Sequence, residues 1–160
     1  MNDEMMKKAQ EVFSLVCAMM DSNDWSYEKD EEQWLIRANF TGDDLCMQFQ
    51  IRIDAERQLV YLTSVLPFKM KEEKLLEGSV VICEINYALA DGSFDYNITD
   101  GTIGFRMTSC FKDSLVGLEL LQYMIDCACY TVDKYNDKLQ ALNDGEISFD
   151  EFIDWLCDKD

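Results

Sequence analysis

The chain has 160 residues, which is enough for one ordinary domain that buries a core without disulfides or metals. Its hydrophobic fraction of 48% and aromatic fraction of 12% are typical of a globular protein. The 32 acidic residues outnumber the 14 basic ones, and the formal charge of −18 repels phosphate backbones and anionic lipid surfaces. We therefore expect a single domain over residues 1–160, with neither a nucleic-acid nor a membrane partner.

The N-terminus and the cysteines both favour a cytoplasmic protein. The first ten residues lack a basic region followed by an apolar run, and no stretch approaches the length needed to cross a bilayer. Six of the seven cysteines lie within apolar periodic segments: Cys17, Cys46, Cys83, Cys110, Cys127 and Cys129. We expect these six to be buried free thiols.

The first predicted element is an amphipathic helix over residues 4–20. Apolar residues recur there at helical spacing: Met5, Ala9, Val12, Phe13, Val16, Cys17 and Met20. The segment DSND, residues 21–24, then favours a turn because its side chains bond to their own backbone.

From Trp25 the period changes from helical to alternating, which predicts strands. After a first short strand at Trp25 and Tyr27, three further strands are predicted: QWLIRANF at 33–40, LCMQFQIRID at 45–54 and LVYLTSVLPF at 59–68. The only proline, Pro67, closes the last of them. The turns are too short for crossovers, so neighbouring strands should be antiparallel.

A second helix and a hairpin follow the meander. Residues 71–90 carry a broad apolar stripe that suits a helix packed on a sheet, and Gly92 offers a helix stop. The pair Asp100-Gly101 is the strongest hairpin signal in the chain, because Gly accepts the positive φ that a two-residue turn demands.

Two more helices complete the chain. The apolar pattern of residues 113–142 predicts a long helix, and a short C-terminal helix is appended at residues 148–158. Ser148 and Glu151 predict a capping box at the start of the short helix. The result is an α+β fold, ordered α-β-β-β(-β)-α-β-β-α-α, with helices packed against an antiparallel sheet of about five to six strands.

The segment LNDGEISFDEF, residues 142–152, resembles the second half of a calcium-binding loop. With Glu151 as the twelfth ligand position, Asp144 falls at the fifth position. However, Gln140 then stands where the leading carboxylate is needed, and Leu142 stands where an oxygen is needed. We therefore reject Asp144 and Glu151 as metal ligands and expect no metal site.

The same letters have a purely structural interpretation. Asn143, Asp144 and Gly145 suit the end of one helix, and Ser148 with Glu151 suits the start of the next. We expect a helix-turn-helix without a bound ion.

No pattern predicts catalysis. The chain has no histidine, which removes the commonest general base and any Ser-His or Cys-His pair. Cys127 and Cys129 lie mid-helix, where residues two apart point about 200° away from each other. No Gly-rich phosphate loop follows a strand. We expect no catalytic residue, no cofactor and no enzymatic activity.

The methionines leave two interpretations open. Seven of them could line an adaptable surface groove or fill the core: Met5, Met6, Met19, Met20, Met47, Met70 and Met107. Their helical and strand spacing favours the core.

Four segments and the order of the elements carry a family resemblance. The segments are CEINYAL at 83–89, GSFDY at 92–96, DGTIGFR at 100–106 and VDKYNDKLQAL at 132–142. In their order and spacing they resemble the YbjN family over nearly the full chain. The resemblance implies a bacterial protein with a type III secretion chaperone-like fold, commonly a homodimer, without a catalytic site. Members of the family are described as sensory transduction regulators.

Two functional hypotheses follow. The first is a non-enzymatic regulatory or chaperone-like module of the YbjN type that forms a homodimer and binds an unknown protein partner. The second is a calcium or small-ligand sensor that uses the acidic region 144–160. The middle and penultimate helices carry apolar stripes wider than one sheet face requires. The candidate dimer or partner residues are therefore Leu76, Val80, Ile85, Leu118 and Met124.

Overall fold

Among the residues that the structure describes, six antiparallel strands form one sheet in the order β1-β2-β3-β4-β6-β5, and four helices accompany it. The structure is a computed structural model that describes residues 3–114 and 116–158. The strands are β1 (Tyr27–Asp30), β2 (Leu35–Thr41), β3 (Cys46–Asp54), β4 (Leu59–Lys69), β5 (Ser93–Asn97) and β6 (Thr102–Cys110). The helices are α1 (Asp3–Ser22), α2 (Leu75–Ala88), α3 (Leu118–Asp144) and α4 (Phe149–Cys157). The predicted α+β class and the order of the elements are confirmed.

The two faces of the sheet differ in what covers them. In β3 the side chains of Phe49, Ile51 and Ile53 are buried, whereas the intervening Gln50 and Arg52 are exposed. Because side chains alternate across a strand, the same division runs through β2, β4 and β6. We call the buried side the covered face and the other side the open face. The open face is formed by Arg37, Asn39, Gln48, Gln50, Arg52, Tyr61, Thr63, Arg106 and Thr108.

The core lies between the covered face and the helices. Phe105 of β6 and Tyr135 of α3 are among its largest fully buried side chains. Helix α4 joins this core through Phe152, which is fully buried. The ring of Trp155 stands edge-on to those of Tyr135 and Phe152, at centroid distances of 5.8 and 5.5 Å. The short terminal helix is therefore packed against α3 through aromatic contacts.

The predicted turn between the last two helices is confirmed. Gly145 ends α3 in the left-handed conformation, with φ 76°. The Ser148 hydroxyl accepts a hydrogen bond from the backbone N–H of Glu151, and the Glu151 carboxylate accepts one from the backbone N–H of Ser148. This reciprocal pair is the capping box that the sequence predicts.

Several boundaries differ from the prediction. Pro67 does not close β4, because the strand continues to Lys69 past a register irregularity that accommodates the missing N–H. The hairpin turn has four residues, 98–101, rather than two. Gly101 does adopt the expected positive φ, and a Cβ there would collide with the backbone oxygen of Met70.

The two longer predicted helices also begin later than expected. A single 3-10 turn, Glu72–Lys74, precedes α2. Helix α3 begins at Leu118 rather than at residue 113 and continues to Asp144. The predicted long helix includes Leu115, which lies outside the described residues.

The burial predicted for the cysteines is wrong, although all seven are free thiols. Cys17, Cys127 and Cys129 are half-buried, and Cys46, Cys83 and Cys110 are exposed. Cys46 and Cys110 lie at sheet positions that no helix covers among the described residues, and Cys83 lies on the outer side of α2. The apolar periodic segments of the sequence therefore include cysteine positions that the fold leaves exposed to solvent.

Most of the methionines fill the core, as their spacing favours. Five of the seven are buried: Met19, Met20, Met47, Met70 and Met107. Met5 is half-buried, and Met6 lies at the surface. Within the described ranges, no helix is long and apolar enough to cross a membrane.

Candidate functional site

The outer side of α2 carries a row of exposed apolar side chains. Leu76, Val80 and Tyr87 have exposed fractions of 73%, 46% and 90%, and Cys83 is exposed between them. The spacings of four, three and four residues keep all four on one side of a helix and follow the heptad of a coiled-coil seam. We call these four residues the α2 seam.

Some of the residues predicted to lie at a dimer or partner surface are buried. Ile85 lies two residues from both Cys83 and Tyr87, so its side chain points about 200° away from them and is fully buried in the core. Met124 of α3 is also buried, whereas Leu118 is exposed at the start of that helix. Of the five residues proposed as a surface, Leu76, Val80 and Leu118 are therefore accessible on the folded chain.

A second row on α3 has three exposed side chains and the half-buried Cys127. Leu120, Tyr123, Cys127 and Tyr130 are spaced by three, four and three residues, and Tyr130 is 70% exposed. We call these residues the α3 stripe. The sequence pattern alone does not reveal these residues, because the apolar stripe that faces the core runs along the same helix. Tyrosines between core positions are the signal that could have revealed it.

A hydrogen bond joins the α3 stripe to the end of α2. The Tyr123 hydroxyl donates to the Asp91 carboxylate at 3.0 Å, and Asp91 lies just beyond Ala88, the last residue of α2. This hydrogen bond raises the pKa of Tyr123 to about 12, because the acceptor is anionic and opposes loss of the proton. This hydrogen bond places Tyr123 of the α3 stripe beside the loop that follows α2.

The edge of the sheet below α2 is partly closed. The Asn86 side-chain amide donates to the carbonyl of Phe94 at 2.9 Å and accepts from its backbone N–H at 2.7 Å. The Asn86 side chain thus satisfies the backbone N–H and C=O groups of Phe94 that a neighbouring strand would otherwise pair with. An added strand would have to displace it, so this edge is protected against pairing.

The residues of the calcium-loop look-alike are engaged in other contacts. The Lys71 ammonium donates to the Asp144 carboxylate at 2.9 Å. The Glu151 carboxylate accepts hydrogen bonds from the backbone N–H and the hydroxyl of Ser148, which lower its pKa. Leu142 is fully buried in the core. Among residues 3–114 and 116–158, no group of three or more His, Cys, Asp or Glu residues is placed to hold a metal ion.

Solved structures with the same fold define the class of the architecture. One is a chain of the HopA1–SchA chaperone–effector complex, with 11% identity, a TM-score of 0.56, and coverage of 82% of this chain and 97% of that one. Another is a chain of the ExsC–ExsE complex, with 13% identity, a TM-score of 0.55, and coverage of 81% and 93%. The fold is therefore type III secretion chaperone-like.

The family follows from a sequence match and a third structure. The model of the YbjN family, described as "Putative bacterial sensory transduction regulator", matches residues 13–141. The crystal structure of YbjN from E. coli has a TM-score of 0.58 with 8% identity, and the match covers 81% of this chain and 89% of that one. None of the curated proteins matches the sequence. The chain belongs to the YbjN family.

Proposed function

We propose that this protein is a non-enzymatic, cytoplasmic regulatory or chaperone-like module that binds a protein partner and acts as a homodimer. The observation that carries the dimer is the α2 seam, four apolar or weakly polar side chains exposed in a row at coiled-coil spacing. An exposed helix face of this kind is typical of an association surface.

Burial of the α2 seam would supply a large part of the association energy. Covering a Leu or Val side chain is worth about 1.5–3 kcal/mol. Tyr87 is almost fully exposed, and a tyrosine can bury its ring while its hydroxyl stays hydrated. Tyr is also among the residues that dominate binding energy at interfaces.

A two-fold axis through the middle of the α2 seam gives a closed pairing. In an antiparallel arrangement, Leu76 of one protomer faces Tyr87 of the other, and Val80 faces Cys83. The α2 seam spans about 16 Å at 1.5 Å per residue, too little for the roughly 800 Å2 per partner of a stable interface. The α3 stripe, joined to the end of α2 through Asp91, would supply further area.

Charge opposes this dimer at long range. Each protomer has a formal charge of −18, so two protomers repel one another before their apolar surfaces meet. Salt screens that repulsion over about 8–10 Å while leaving apolar burial intact. We therefore expect dimerisation to strengthen as sodium chloride rises from 20 to about 300 mM.

The protein partner is proposed from the kind of structures that share the fold. Two of them come from complexes, and one of these is described as a chaperone with its effector. An acidic surface would help to keep a complex with an apolar partner segment soluble.

Analytical ultracentrifugation of the α2 seam variant tests the dimer. The double substitution Leu76→Asp and Val80→Asp should give a monomer where the parent protein is a dimer, because two charges would be buried without partners. Ile98→Asp is the matched control, since Ile98 is also exposed but lies in the β5–β6 turn. A parent protein that sediments as a monomer at 100 μM would refute the dimer, as would a seam variant that still dimerises.

Thiol labelling tests the same surface without substitution. Cys83 belongs to the α2 seam, whereas Cys46 and Cys110 lie on the sheet. With N-ethylmaleimide followed by peptide mass spectrometry, we expect Cys83 to react at least tenfold more slowly than the other two at protein concentrations that favour the dimer. Equal rates for all three thiols would place the dimer contact elsewhere.

The calcium or small-ligand sensor is tested by a thermal melt. A ligand that binds only the folded state must raise the melting temperature. Because Lys71 and Ser148 already engage the two carboxylates, we expect no shift with 5 mM calcium. A rise of several degrees that Glu151→Gln abolishes would restore the sensor hypothesis.

A further inference from the structure

All four arginines of the chain lie on the open face of the sheet or beside it. Arg37, Arg52 and Arg106 project from β2, β3 and β6. Arg57, in the β3–β4 turn, donates to the hydroxyl of Tyr61 on the same face at 3.3 Å. The helices and the remaining turns carry lysine as their only basic residue.

This placement divides the charge of the molecule unevenly. The outward acids of the sheet lie at its margins: Glu28, Asp30, Asp54 and Asp95. The three arginines that project from the strands offset three of these four acids, so nearly all of the formal charge of −18 is carried by the rest of the chain. The centre of the open face bears arginine, amide and hydroxyl side chains.

Of the three arginines that project from the strands, two have no acidic partner among the described residues. Arg106 is held by Asp95 through two hydrogen bonds of 2.7 and 2.8 Å. Within the part of the chain that the structure describes, no carboxylate lies within 4 Å of the basic nitrogens of Arg37 or Arg52. The Arg52 guanidinium lies 5.0 Å from the centre of the Tyr61 ring. Glu28 stands directly across from Arg37 on β1, yet forms no ion pair with it.

Arg37 and Arg52 are diagonal neighbours on the open face. Arg37 pairs with Gln50 across the β2–β3 ladder, and Arg52 lies two residues beyond Gln50 on the same side. Such diagonal neighbours have Cβ atoms about 7–8 Å apart. A shallow pocket of about 430 Å3 beside Arg37 is lined by the amides of Asn39, Gln48 and Gln50, with Glu28 of β1 at its side. Guanidinium groups match carboxylates in a bidentate geometry, and the amides add hydrogen-bond donors.

We propose that the open face binds an acidic segment of a partner protein, whose carboxylates are received by Arg37 and Arg52. The proposal deepens the protein-binding function and rests on it, but it uses the side of the sheet opposite the helices. A dimer through the α2 seam leaves this face accessible. A short acidic segment also suits the acidic chain better than a nucleic acid does, because it brings fewer negative charges within the screening length of about 8 Å than a continuous phosphate backbone does.

Arginine side-chain NMR tests this proposal on the full chain. With four arginines, the Nε–Hε region contains four signals, which single Arg→Lys variants assign. The probe is a twelve-residue peptide of alternating Glu and Ser, added at 150 mM sodium chloride. We expect saturable shifts at Arg37 and Arg52, with Arg106 unmoved because Asp95 already holds it.

Matched variants make the test specific. The double substitution Arg37→Gln and Arg52→Gln should weaken binding at least tenfold in fluorescence anisotropy with the labelled peptide. Lys7→Gln with Lys134→Gln removes the same charge from the helices and should change the affinity less than twofold. An equal loss in both variants would show non-specific attraction and would overturn the proposal.

Other occupants of the face would give different results. Equal shifts with acetate at the same carboxylate concentration would indicate simple anion binding, and tighter binding of a single-stranded oligonucleotide would indicate a phosphate surface. A change in sedimentation of the Arg37→Gln and Arg52→Gln variant would indicate a second copy of the chain. Each of these results would overturn the proposal that the open face binds an acidic segment of a partner protein. The Leu76→Asp and Val80→Asp variant should still bind the peptide, so failure of the dimer and failure of this site are distinguishable.

Discussion

The two faces of the sheet are made by the same strands but follow different rules. In β3, Ile51 packs under the helices, and its neighbour Gln50 points to solvent. On the covered face, volume and apolarity decide which residue fits. On the open face the side chains are exposed or half-buried, so packing in the core does not restrict their chemistry. The comparison separates residues that maintain the fold from those available for function.

The charges sharpen this contrast. The helical layer is strongly acidic and carries an apolar seam, whereas the open face is nearly balanced and carries the arginines. We therefore propose different partners for the two surfaces: a second copy of the chain for the seam, and an acidic segment for the arginines.

Neighbouring substitutions in β3 provide the largest expected difference between the faces. Ile51→Ala should lower the free energy of unfolding by about 2–5 kcal/mol, because it leaves a cavity in the core. Gln50→Ala should change it by less than about 0.5 kcal/mol, because Gln50 is exposed. Urea unfolding followed by circular dichroism measures both. Similar losses in the two variants would contradict the division into covered and open faces.

Two buried asparagines of α3 differ in whether their side-chain amides form hydrogen bonds. The Asn143 side chain accepts from the backbone N–H of Lys71 at 2.7 Å and donates to the carbonyl of Lys69 at 3.1 Å. The side-chain amide of Asn136 is buried without a hydrogen-bond partner among the described residues. We expect Asn143→Ala to cost about 1–3 kcal/mol and Asn136→Leu to be neutral or stabilising. A large loss with Asn136→Leu would reveal a bridging water or another bound group.

Thiol reactivity should follow the same division. Burial raises the pKa of Cys129 to about 12, and the nearby Asp126 and Asp133 act in the same direction. The thiolate is the reactive form, so Cys129 should react with iodoacetamide at pH 8 at least about tenfold more slowly than Cys46 or Cys110. Its contribution to stability should fall as the pH rises from about 9 towards 12, because the unfolded chain loses the proton first. Peptide mass spectrometry measures the rates, and equal rates would show that α3 opens readily.

The smallest effect concerns an exposed ion pair at the end of the sheet. The Lys69 ammonium donates to the Asp100 carboxylate at 2.6 Å and, with Thr102, lowers the pKa of Asp100 to about 2. Because that pKa is depressed, the contribution to stability is present above pH 4 and is lost as the pH falls through about 2. Carboxyl NMR titration of Lys69→Gln should return the pKa of Asp100 towards its ordinary value. An unchanged pKa would assign the shift to Thr102 instead.

The candidate surfaces were only partly predictable from sequence. Leu76 and Val80 were found because the apolar stripe of residues 71–90 is broad, but the same breadth included Ile85, which faces the sheet. The apolar periodicity of α2 does not determine which residues of a broad stripe pack against the sheet. Arg37 and Arg52 are 15 residues apart in the chain, and only the β2–β3 register makes them neighbours.

The sequence by itself determined the elements, their order and their local stops. Alternation over β2–β4, the helical period of α1 and α3, the capping box at Ser148 and the left-handed Gly145 are set by residues near one another in the chain. Only the tertiary structure decided which side of each element is covered. Cys83, Tyr87 and the open face are exposed because the four helices pack on the opposite side of the sheet or present their outer sides to solvent. Coverage depends on contacts between distant segments, and the local pattern of apolar residues does not contain that information.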